Sequence, residues 1–244
     1  MKAVILAAGI ASRLRPLTDN TPKCLLEVGD NTILGKTLDN LVKNDINDLV
    51  VVTGYLQDMI KDFIAEKYPQ INVEYIYNEK YESTNNIYSL WMTKEKVIDG
   101  DFILLDSDIL FDHRIIKQLL NSDYENCLAV KSGFELGEEE IKVTLNDKKC
   151  ITEISKTIDP KLAIGESIGI EKFSNNYVKQ LFGILDDMII NNNQVDIFYE
   201  AAFERSLKEG AEIYTVDVGD FRCMELDTAE DIEAAKKEVV EFLA

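Results

Sequence analysis

The sequence predicts an α/β protein, and two observations support this. In the first half of the chain, four short apolar runs of strand length alternate with stretches whose apolar residues recur at helical spacing. In the second half the alternation gives way to a hairpin pattern and longer amphipathic helices. Alternating strands and helices are typical of βαβ units, in which a parallel sheet binds its ligands at the carboxyl ends of the strands.

The first half supplies four strands and three helices. The strands are predicted at residues 2–7, 49–53, 73–77 and 102–106. The first helix is indicated by apolar side chains at positions 33, 34, 38, 41 and 42. The second helix has them at positions 59, 60, 63 and 64 and ends at Pro69. The third helix is predicted over residues 85–96.

The sequence of the second half of the chain predicts a small part that combines strands and helices. Apolar runs at residues 141–145 and 150–154 flank a polar turn, which indicates a hairpin, and strands follow at residues 165–171 and 212–218. Three helices complete the chain. They cover residues 177–189, residues 198–208 before Gly210, and a last segment that Thr228 and Asp231 open as a capping box.

The chain is strongly acidic. Its 244 residues include 45 Asp and Glu but only 26 Lys and Arg, so the net charge is −19. Nucleic acid and anionic membranes both need a basic binding face, so the charge argues against either partner. No apolar run approaches the roughly 20 residues of a membrane span, and the chain starts its first strand without a signal peptide. We therefore expect a cytoplasmic protein.

Cysteine and histidine usage argues against several kinds of site. Cys24, Cys127, Cys150 and Cys223 lie far apart and form no C-x-x-C pair, which predicts buried thiols in a reducing compartment. His113 is the only histidine, so histidine-based triads and histidine-rich metal sites are not expected.

Positive charge gathers directly after the first strand. Gly9 follows the apolar run, and Arg13, Arg15 and Lys23 come next. Small residues let backbone N–H groups approach a phosphate or a base closely, and cations neutralise a triphosphate. The alternative is a dinucleotide-binding turn, but that turn needs G-x-G-x-x-G, and only Gly9 is present.

The order AAG-x2-SRL-x-PLT-x3-PK, from Ala7 to Lys23, resembles the signature of the nucleotidyltransferases that make NDP-sugars and CDP-alcohols. The resemblance implies a Rossmann-like, GT-A-like mixed sheet flanked by helices, in one domain with a small α+β insertion. Residues 1–110 and 211–244 would bind the nucleotide, and residues 111–210 the acceptor. In this family the signature cations contact the triphosphate and the transferring group, which assigns catalytic roles to Arg13 and Lys23. The nucleotide would lie against Leu6, Ala7, Ala8 and Gly9.

Two carboxylates end the fourth strand. Asp106 and Asp108 are two residues apart, so both point to one face at the sheet edge where ligands bind. Such a pair suits Mg²⁺, although a strand that ends in solvated acids is a common alternative. The family has a similar D-x-D element, and the resemblance assigns Asp106 to the nucleotide and Asp108 to the metal.

The stretch E-L-D-T-A-E-D, which begins at Glu225, resembles a second family element, whose aspartate is the other metal ligand. Asp227 occupies that place. Asp227 and Thr228 are also residue types that cap a helix, and the two roles are compatible. Mg²⁺ held by Asp108 and Asp227 is therefore the expected cofactor.

Residues 78–91 narrow the resemblance to one branch of the family. Sugar nucleotidyltransferases usually carry Gly-Thr where this chain has Thr84-Asn85-Asn86, and the departure is similar to cytidylyltransferases that act on phosphocholine or 2-aminoethylphosphonate. Tyr81, Tyr88 and Trp91 offer aromatic faces to an ammonium group. Alternatively, Tyr88 and Trp91, which are three residues apart, form one apolar helix face in the core. The resemblance assigns nucleotide contacts to Asn78, Ser83, Thr84 and Asn85, and acceptor contacts to Asn86, Tyr88 and Trp91.

Three more charged residues are assigned to the acceptor. Lys156 follows the second hairpin strand, where many relatives hold the acceptor's phosphate with a lysine; an ordinary edge lysine is the alternative. Glu166 and Glu200 lie in segments that resemble the same cytidylyltransferases. An acceptor with a phosphate and an ammonium end needs a divided pocket, with Lys156 at one end and carboxylates at the other.

The resemblance thus implies transfer of CMP from CTP to a small phosphorylated or phosphonate amino-alcohol, with release of pyrophosphate. One alternative is a sugar-1-phosphate nucleotidylyltransferase that uses UTP, dTTP or GTP. The other is a catalytically silent nucleotide-binding module, against which the intact set of Arg13, Lys23, Asp108 and Asp227 argues. The sequence leaves open the acceptor, the strictness for CTP and whether two copies form a homodimer.

Overall fold

A mixed sheet organises the computed structural model, which describes residues 1–242. Within these residues the sheet has nine strands: β1 (Lys2–Ala7), β4 (Asp48–Thr53), β5 (Asn72–Tyr77), β6 (Phe102–Asp106), β8 (Cys127–Lys131), β9 (Lys142–Leu145), β10 (Ile151–Ser155), β11 (Gly165–Phe173) and β12 (Tyr214–Asp217). Two short ribbons lie beside it: β2 (Glu27–Val28) with β3 (Asn31–Thr32), and β7 (Ile109–Phe111) with β13 (Cys223–Glu225). The α/β class and the mixed sheet are confirmed.

The helices connect these strands. They are α1 (Ile33–Lys43), α2 (Gln57–Lys67), α3 (Asn86–Met92), α4 (Lys94–Val97), α5 (His113–Asn121), α6 (Asn175–Asp186), α7 (Glu200–Lys208) and α8 (Ala229–Phe242). The helix predicted over residues 85–96 is therefore two helices, which meet at Thr93. The fully buried Thr93 hydroxyl donates to the Leu90 carbonyl at 2.7 Å, a local bond that competes with a continuous helix.

Strand direction creates the ligand edge of the sheet. β5, β4, β1 and β6 are neighbours in that order and run parallel, whereas β11 runs antiparallel to β6. The start of β11 therefore lies beside the carboxyl ends of the parallel strands. The parallel pairing predicted from the first half of the sequence is confirmed for these four strands, and the sheet is mixed because β11 pairs antiparallel with β6, β8 and β9.

A bulge at Gly169 shapes the start of β11. The pairing register with β8 shifts between Ser167 and Glu171, and Gly169 has a φ of +68°. A Cβ atom at this position would lie 2.6 Å from Asp106 Oδ2. Glycine is therefore required both by the left-handed backbone and by the approach of Asp106.

Two apolar layers hold β1 rigidly from both faces. Val4 and Leu6 pack with α3, α6 and α7 on one face, and Ala3 and Ile5 pack with α1, α2 and α5 on the other. Successive side chains of a strand point to opposite faces, so the apolar run 3–7 is buried on both sides. The backbone that follows β1 consequently starts from a fixed point.

The ribbon of β7 and β13 joins two distant parts of the chain. Its last hydrogen bond runs from the Leu226 N–H to the Asp108 carbonyl at 3.1 Å. Leu110, Leu226 and Ile232 share a small buried cluster with Leu14, which ties α8 and the loop after β1 to the ribbon. Residues 108 and 227 therefore lie side by side.

The state of the cysteines and the length of the helices also bear on what the sequence predicts. All four cysteines are free thiols, and Cys24, Cys127 and Cys150 are buried, as predicted. Between residues 1 and 242, no helix combines the length and apolar character that crossing a membrane requires.

Candidate active site

A cleft of about 790 Å³ lies at the carboxyl ends of β1 and β6 and the start of β11. This volume is within the range of small-molecule sites. Most residues that the sequence assigned to a site line the cleft: Leu6, Ala7, Ala8, Gly9, Arg13, Lys23, Asn78, Thr84, Asn85, Asn86, Asp106, Asp108, Lys156, Glu166, Glu200 and Asp227. Residues from both ends of the chain thus meet in one place.

Three residues that the sequence assigned to the site do not line the cleft, namely Ser83, Tyr88 and Trp91. Ser83 lies in an exposed turn, where its N–H donates to the Lys80 carbonyl at 2.9 Å. The rings of Tyr88 and Trp91 lie 5.3 Å apart against the core, and Trp91 Nε1 donates to Asp186 at 2.9 Å. The pair therefore forms the apolar helix face that was the alternative, because residues three apart share one side of α3.

The backbone after β1 is open toward the cleft. A Cβ atom added to Gly9 would meet no atom of the described chain within 4 Å. The loop is nevertheless anchored, because the Ala8 carbonyl accepts from the Tyr55 N–H at 3.2 Å and the Thr18 hydroxyl donates to the Ala11 carbonyl at 2.9 Å. Packing within the chain does not require glycine at position 9, so the open space serves what enters the cleft.

An acidic cluster lies on the opposite wall. Carboxylate oxygens of Asp108, Glu225 and Asp227 all lie within 4.8 Å of one another. The Lys23 ammonium is 2.6 Å from both Asp108 Oδ2 and Asp227 Oδ1, and Arg13 Nη1 is 3.6 Å from Asp227 Oδ2. Two cations therefore face three carboxylates, and the donor set is one that hard divalent cations prefer.

Charge pairing shifts the pKa of Lys23 and Asp227 in opposite directions. Burial lowers the pKa of the Lys23 ammonium, but its bonds to Asp108 and Asp227 outweigh this and the net pKa is raised. Burial raises the pKa of Asp227, but the hydrogen bond and charge of Lys23 bring it below its ordinary value. Both groups are consequently charged at neutral pH.

Helix α8 fixes Asp227 by its own cap. The Thr228 Oγ1 accepts from the Asp231 N–H at 3.1 Å, and Asp231 Oδ2 accepts from the Thr228 N–H at 2.8 Å. The same Asp231 oxygen accepts from the Asp227 N–H at 3.1 Å. The predicted capping box is present, and it holds the backbone of Asp227 against the cleft.

Asp106 lines the cleft and Glu171 lies behind it, and within residues 1–242 neither carboxylate forms an ion pair with a cation. The buried Tyr199 hydroxyl donates to Asp106 Oδ2 at 3.0 Å and lies 3.4 Å from Glu171 Oε1. Burial, together with the charge of Asp108, raises the pKa of Asp106 well above its ordinary value. Burial also raises the pKa of Glu171, and the charge of Asp106 adds to this effect.

The loop before α3 is a rigid wall. The Asn78 side chain, which is 1% exposed, donates to Thr84 Oγ1 at 3.1 Å and to Ser89 Oγ at 3.3 Å. The Asn85 N–H donates to the Val195 carbonyl at 2.9 Å. Asn86 Oδ1 accepts from the Tyr199 N–H at 2.9 Å, so Asn86 fixes the residue that precedes α7.

The far end of the cleft is more acidic than the sequence indicated. Glu139 and Glu140 line it together with Glu166 and Glu200. Burial raises the pKa of Glu166 and of Glu200 to about 7. The Lys156 ammonium lies 3.3 Å from Glu139 Oε2 and 5.1 Å from the centre of the Phe198 ring, so it sits among the acids. The divided pocket, with Lys156 apart from the carboxylates, is therefore not what the structure shows.

A buried lysine builds the acidic loop. Lys142 is 1% exposed, and its ammonium donates to the carbonyls of Gly137, Glu138 and Glu140 at 3.0, 3.4 and 3.1 Å. Three carbonyls around one ammonium curl residues 137–140 over the end of the cleft. The Glu side chains of this loop lie at the cleft because the backbone is held in this way.

Sequence reasoning missed Glu225, Phe198, Tyr199 and Glu171. Glu225 had a usable signal, since it lies two residues before Asp227 in extended chain and shares its face. Phe198 and Tyr199 lie near the cleft because α7 packs against the sheet, and Glu171 lies near Asp106 because β11 pairs with β6. No local sequence pattern encodes either arrangement.

Comparison with known proteins gives consistent matches. A family model described as Nucleotidyl transferase matches residues 2–130. A choline-phosphate cytidylyltransferase from Streptococcus pneumoniae is 27% identical over 238 residues, 95% of each chain. A CTP:phosphoglutamine cytidylyltransferase from Campylobacter jejuni is 30% identical over 228 residues, 86% of this chain and 88% of that protein. A solved structure of the Streptococcus pneumoniae CTP:phosphocholine cytidylyltransferase has the same fold, with a TM-score of 0.78, 23% identity and 98% coverage of both chains.

Proposed function

Because the chain belongs to the nucleotidyl transferase family, we propose that it transfers CMP from CTP to a small acceptor bearing a phosphate or phosphonate and an amine. The relatives described above are named for CTP, and their acceptors are named as phosphocholine and phosphoglutamine. The observation that carries the proposal is the meeting of Arg13, Lys23, Asp108 and Asp227 in one cleft.

In the proposed reaction, an oxygen of the acceptor's phosphate or phosphonate attacks the α-phosphorus of CTP. The new bond joins that oxygen to the phosphorus, and the bond from the α-phosphorus to the bridging oxygen breaks. The bridging oxygen keeps the electron pair and leaves with pyrophosphate. The attacking oxygen is already anionic, so no side chain has to remove a proton. Arg13 and Lys23 neutralise charge on the triphosphate as it shifts toward the leaving group.

We also propose that Asp108, Glu225 and Asp227 hold Mg²⁺. The closeness of their oxygens and the excess of carboxylates over cations support this donor set. When bound, Mg²⁺ supplies positive charge to the phosphate oxygens. The Lys23 ammonium keeps Asp108 and Asp227 facing each other, which limits the rearrangement that binding requires.

The test is pyrophosphate release from CTP and MgCl₂ with a panel of phosphorylated acceptors, repeated with UTP, dTTP, GTP and ATP. We expect turnover with CTP and an amine-bearing phosphate or phosphonate, and a CMP adduct of that acceptor by mass spectrometry. Turnover only with a sugar 1-phosphate and another nucleotide would assign the chain to the sugar branch instead. If no pair of nucleotide and acceptor is turned over, the proposal that the chain is a nucleotidyltransferase enzyme is contradicted.

A further inference from the structure

Two buried polar side chains at the far end of the cleft each carry an oxygen atom without a hydrogen-bond partner among the described residues. Ser167 is 7% exposed and Glu200 is 8% exposed, and both line the cleft. Within the described part of the chain, neither Ser167 Oγ nor Glu200 Oε2 has a partner. Folded proteins rarely leave buried polar atoms unpaired, because the lost hydration is not replaced. These two atoms therefore indicate that a ligand supplies hydrogens here.

The unpaired atoms are held in place by the surrounding structure. Asn86 fixes Tyr199 through the bond to its N–H, and Glu200 is the next residue, at the start of α7. Ser167 lies at the edge of the β11 bulge, and its N–H donates to the Ile141 carbonyl at 2.8 Å. The backbone at both residues is therefore fixed, which keeps their side chains at the cleft where a ligand binds.

The ligand group at this point carries positive charge. Glu166 and Glu200 form no direct ion pair with another described side chain, and Glu139 and Glu140 add further negative charge to the same end. Lys131, Lys142 and Lys156 all act on Glu166, and Lys156 acts on Glu200. The Lys142 ammonium is bonded to three carbonyls, and that of Lys156 contacts Glu139 and the Phe198 ring, so the four carboxylates outnumber the cations that face them. The remaining carboxylates are therefore available to bind a cationic group of the ligand.

The side chains that line the cleft determine which kind of ammonium group it can bind. A trimethylammonium group has no N–H and is bound through aromatic faces. Tyr88 and Trp91 pack outside the cleft. Two rings do line it, but the Phe198 ring lies 5.1 Å from the Lys156 ammonium, and the Tyr81 ring packs beside Gly54 and Tyr55 at the end of β4. What the far end offers instead is unpaired acceptor oxygens.

We propose that the acceptor carries a primary ammonium group, whose N–H bonds are donated to Glu200 and Ser167, and that the cleft discriminates against the trimethylated form. This inference rests on the proposed function, because it assigns the second end of the phosphorylated acceptor. Asn86 acts in it as a positioning residue for α7.

The direct test compares phosphoethanolamine, its N-methyl and N,N-dimethyl forms, and phosphocholine as acceptors with CTP. The phosphate is constant, and the number of N–H bonds falls from three to none. The same comparison uses 2-aminoethylphosphonate and its trimethylated form. We expect kcat/KM to fall with each methyl group, by about tenfold or more overall. Equal or better turnover of either trimethylated compound would overturn the inference.

The outcomes separate the inference from the proposed function. If CMP is transferred to another phosphorylated compound but to none of these amines, the proposed function stands and the inference fails. If CTP is not consumed with any acceptor, the proposed function fails. In that case calorimetric titration with phosphoethanolamine and phosphocholine still decides the inference, because a missing preference for the primary amine contradicts it.

Variants connect the preference to the two side chains. We expect Ser167→Ala to reduce the preference for phosphoethanolamine over phosphocholine, and Glu200→Gln to lower kcat/KM for phosphoethanolamine by about tenfold or more. The KM for CTP should stay within about twofold in both. Glu204→Gln, one turn later on α7 and paired with Lys208, is the matched control and should leave the preference unchanged. If both variants are folded by thermal melting and keep the preference unchanged, the assignment of the ammonium group to Ser167 and Glu200 is contradicted.

Discussion

Lys23 is the residue on which the cleft is centred, because one ammonium contacts two carboxylates from different ends of the chain. It has the features of a built-in counter-ion: it is largely buried, has an elevated pKa and lies 2.6 Å from each partner. The carboxylates of Asp108 and Asp227 are thereby held close together without any ligand.

Removal of either paired carboxylate should abolish most of the activity. We expect Asp108→Ala and Asp227→Ala each to reduce kcat/KM for pyrophosphate release by about a hundredfold or more, as is usual when a charge-stabilising group is removed. The wild-type reaction under the same MgCl₂ concentration is the reference, and thermal melting reports folding. Near-normal rates in both variants would contradict the proposed metal site.

A side chain at position 9 should weaken nucleotide binding but leave the stability of the fold unchanged. A Cβ atom at this position meets no atom within 4 Å, and the backbone is not in the left-handed region. We therefore expect Gly9→Ala to melt like the wild type but to raise the KM for CTP by about tenfold, because the methyl group enters the space for the ligand. Gly100→Ala, at another open glycine outside the cleft, is the control and should change neither quantity.

Glu200 should reduce the stability of the unliganded protein above neutral pH. Burial raises the pKa of Glu200 to about 7. The carboxyl is protonated and costs no stability below its ordinary pKa, and as the pH rises through 7 it becomes charged and the folded state loses stability. Glu200→Gln removes that cost. We expect the variant to be more stable than wild type at pH 8 by up to about 3 kcal/mol and equal to it near pH 4.5.

Thermal melting at both pH values measures this difference. The charged groups that act on Glu200 include Lys156, which opposes the raised pKa, and a variant less stable than wild type at pH 8 would show that Lys156 already neutralises the carboxylate.

At the scale of elements, the β11 bulge is the feature that a sequence pattern could least anticipate. Gly165–Phe173 was predicted nearly correctly as a strand, but its change of register between Ser167 and Glu171 depends on Asp106 and on three neighbouring strands. A bulge of this kind directs side chains to places that regular alternation does not reach. Ser167 lines the cleft for this reason.

Gly169→Ala should destabilise the protein. The substitution puts a Cβ atom 2.6 Å from Asp106 Oδ2 and 2.9 Å from Ile109 Cδ1, and it forces alanine to a φ of +68°. We expect a loss of about 1–3 kcal/mol, seen as a lower midpoint in urea unfolding. Gly183→Ala, on α6 with open space around it, should instead raise stability by about 1 kcal/mol. A loss of stability in the control, or none in Gly169→Ala, would contradict this reading of the bulge.

Elements with strong periodicity could be predicted, and short ones could not. The strands near residues 2–7 and 102–106 and the helix near residues 33–43 follow from apolar patterns that local chemistry enforces. The unit of α5 and β8 was missed, as was the ribbon of β7 and β13, whose three-residue strands are too short for alternation to show. Tyr88 and Trp91 were placed correctly on a helix, but spacing alone does not tell which side of it faces the core.

For the molecule as a whole, the cleft could be predicted where strand ends carry charge. Lys23, Asp108 and Asp227 were assigned through motifs that resemble those of the family, and Asp108 also through its place after a strand; the structure brings the three together at one cleft. The acidic far end was only partly found, because Glu139 and Glu140 reach it through the carbonyl contacts of buried Lys142. Such a contact depends on the folded backbone, and no spacing rule contains it.

Ligand binding should stabilise the entire fold. The cleft joins the sheet, the ribbon and α8, so a ligand that binds only the folded state raises the melting temperature by mass action. We expect CTP with MgCl₂ to raise the melting temperature of the wild type more than either alone, and Asp227→Ala to lose most of this shift. An equal shift in the variant would show that binding does not involve the ribbon side of the cleft.

The ribbon of β7 and β13 has a consequence for the order in which the protein is made. β1, β4, β5 and β6 all precede residue 107, so they can pair while later segments are still being translated. Asp227 leaves the ribosome long after Asp108, and the ribbon closes only then. A chain that stops before β13 therefore contains every strand of the main sheet but no complete cleft, and we expect it to lack activity rather than to show a weakened activity.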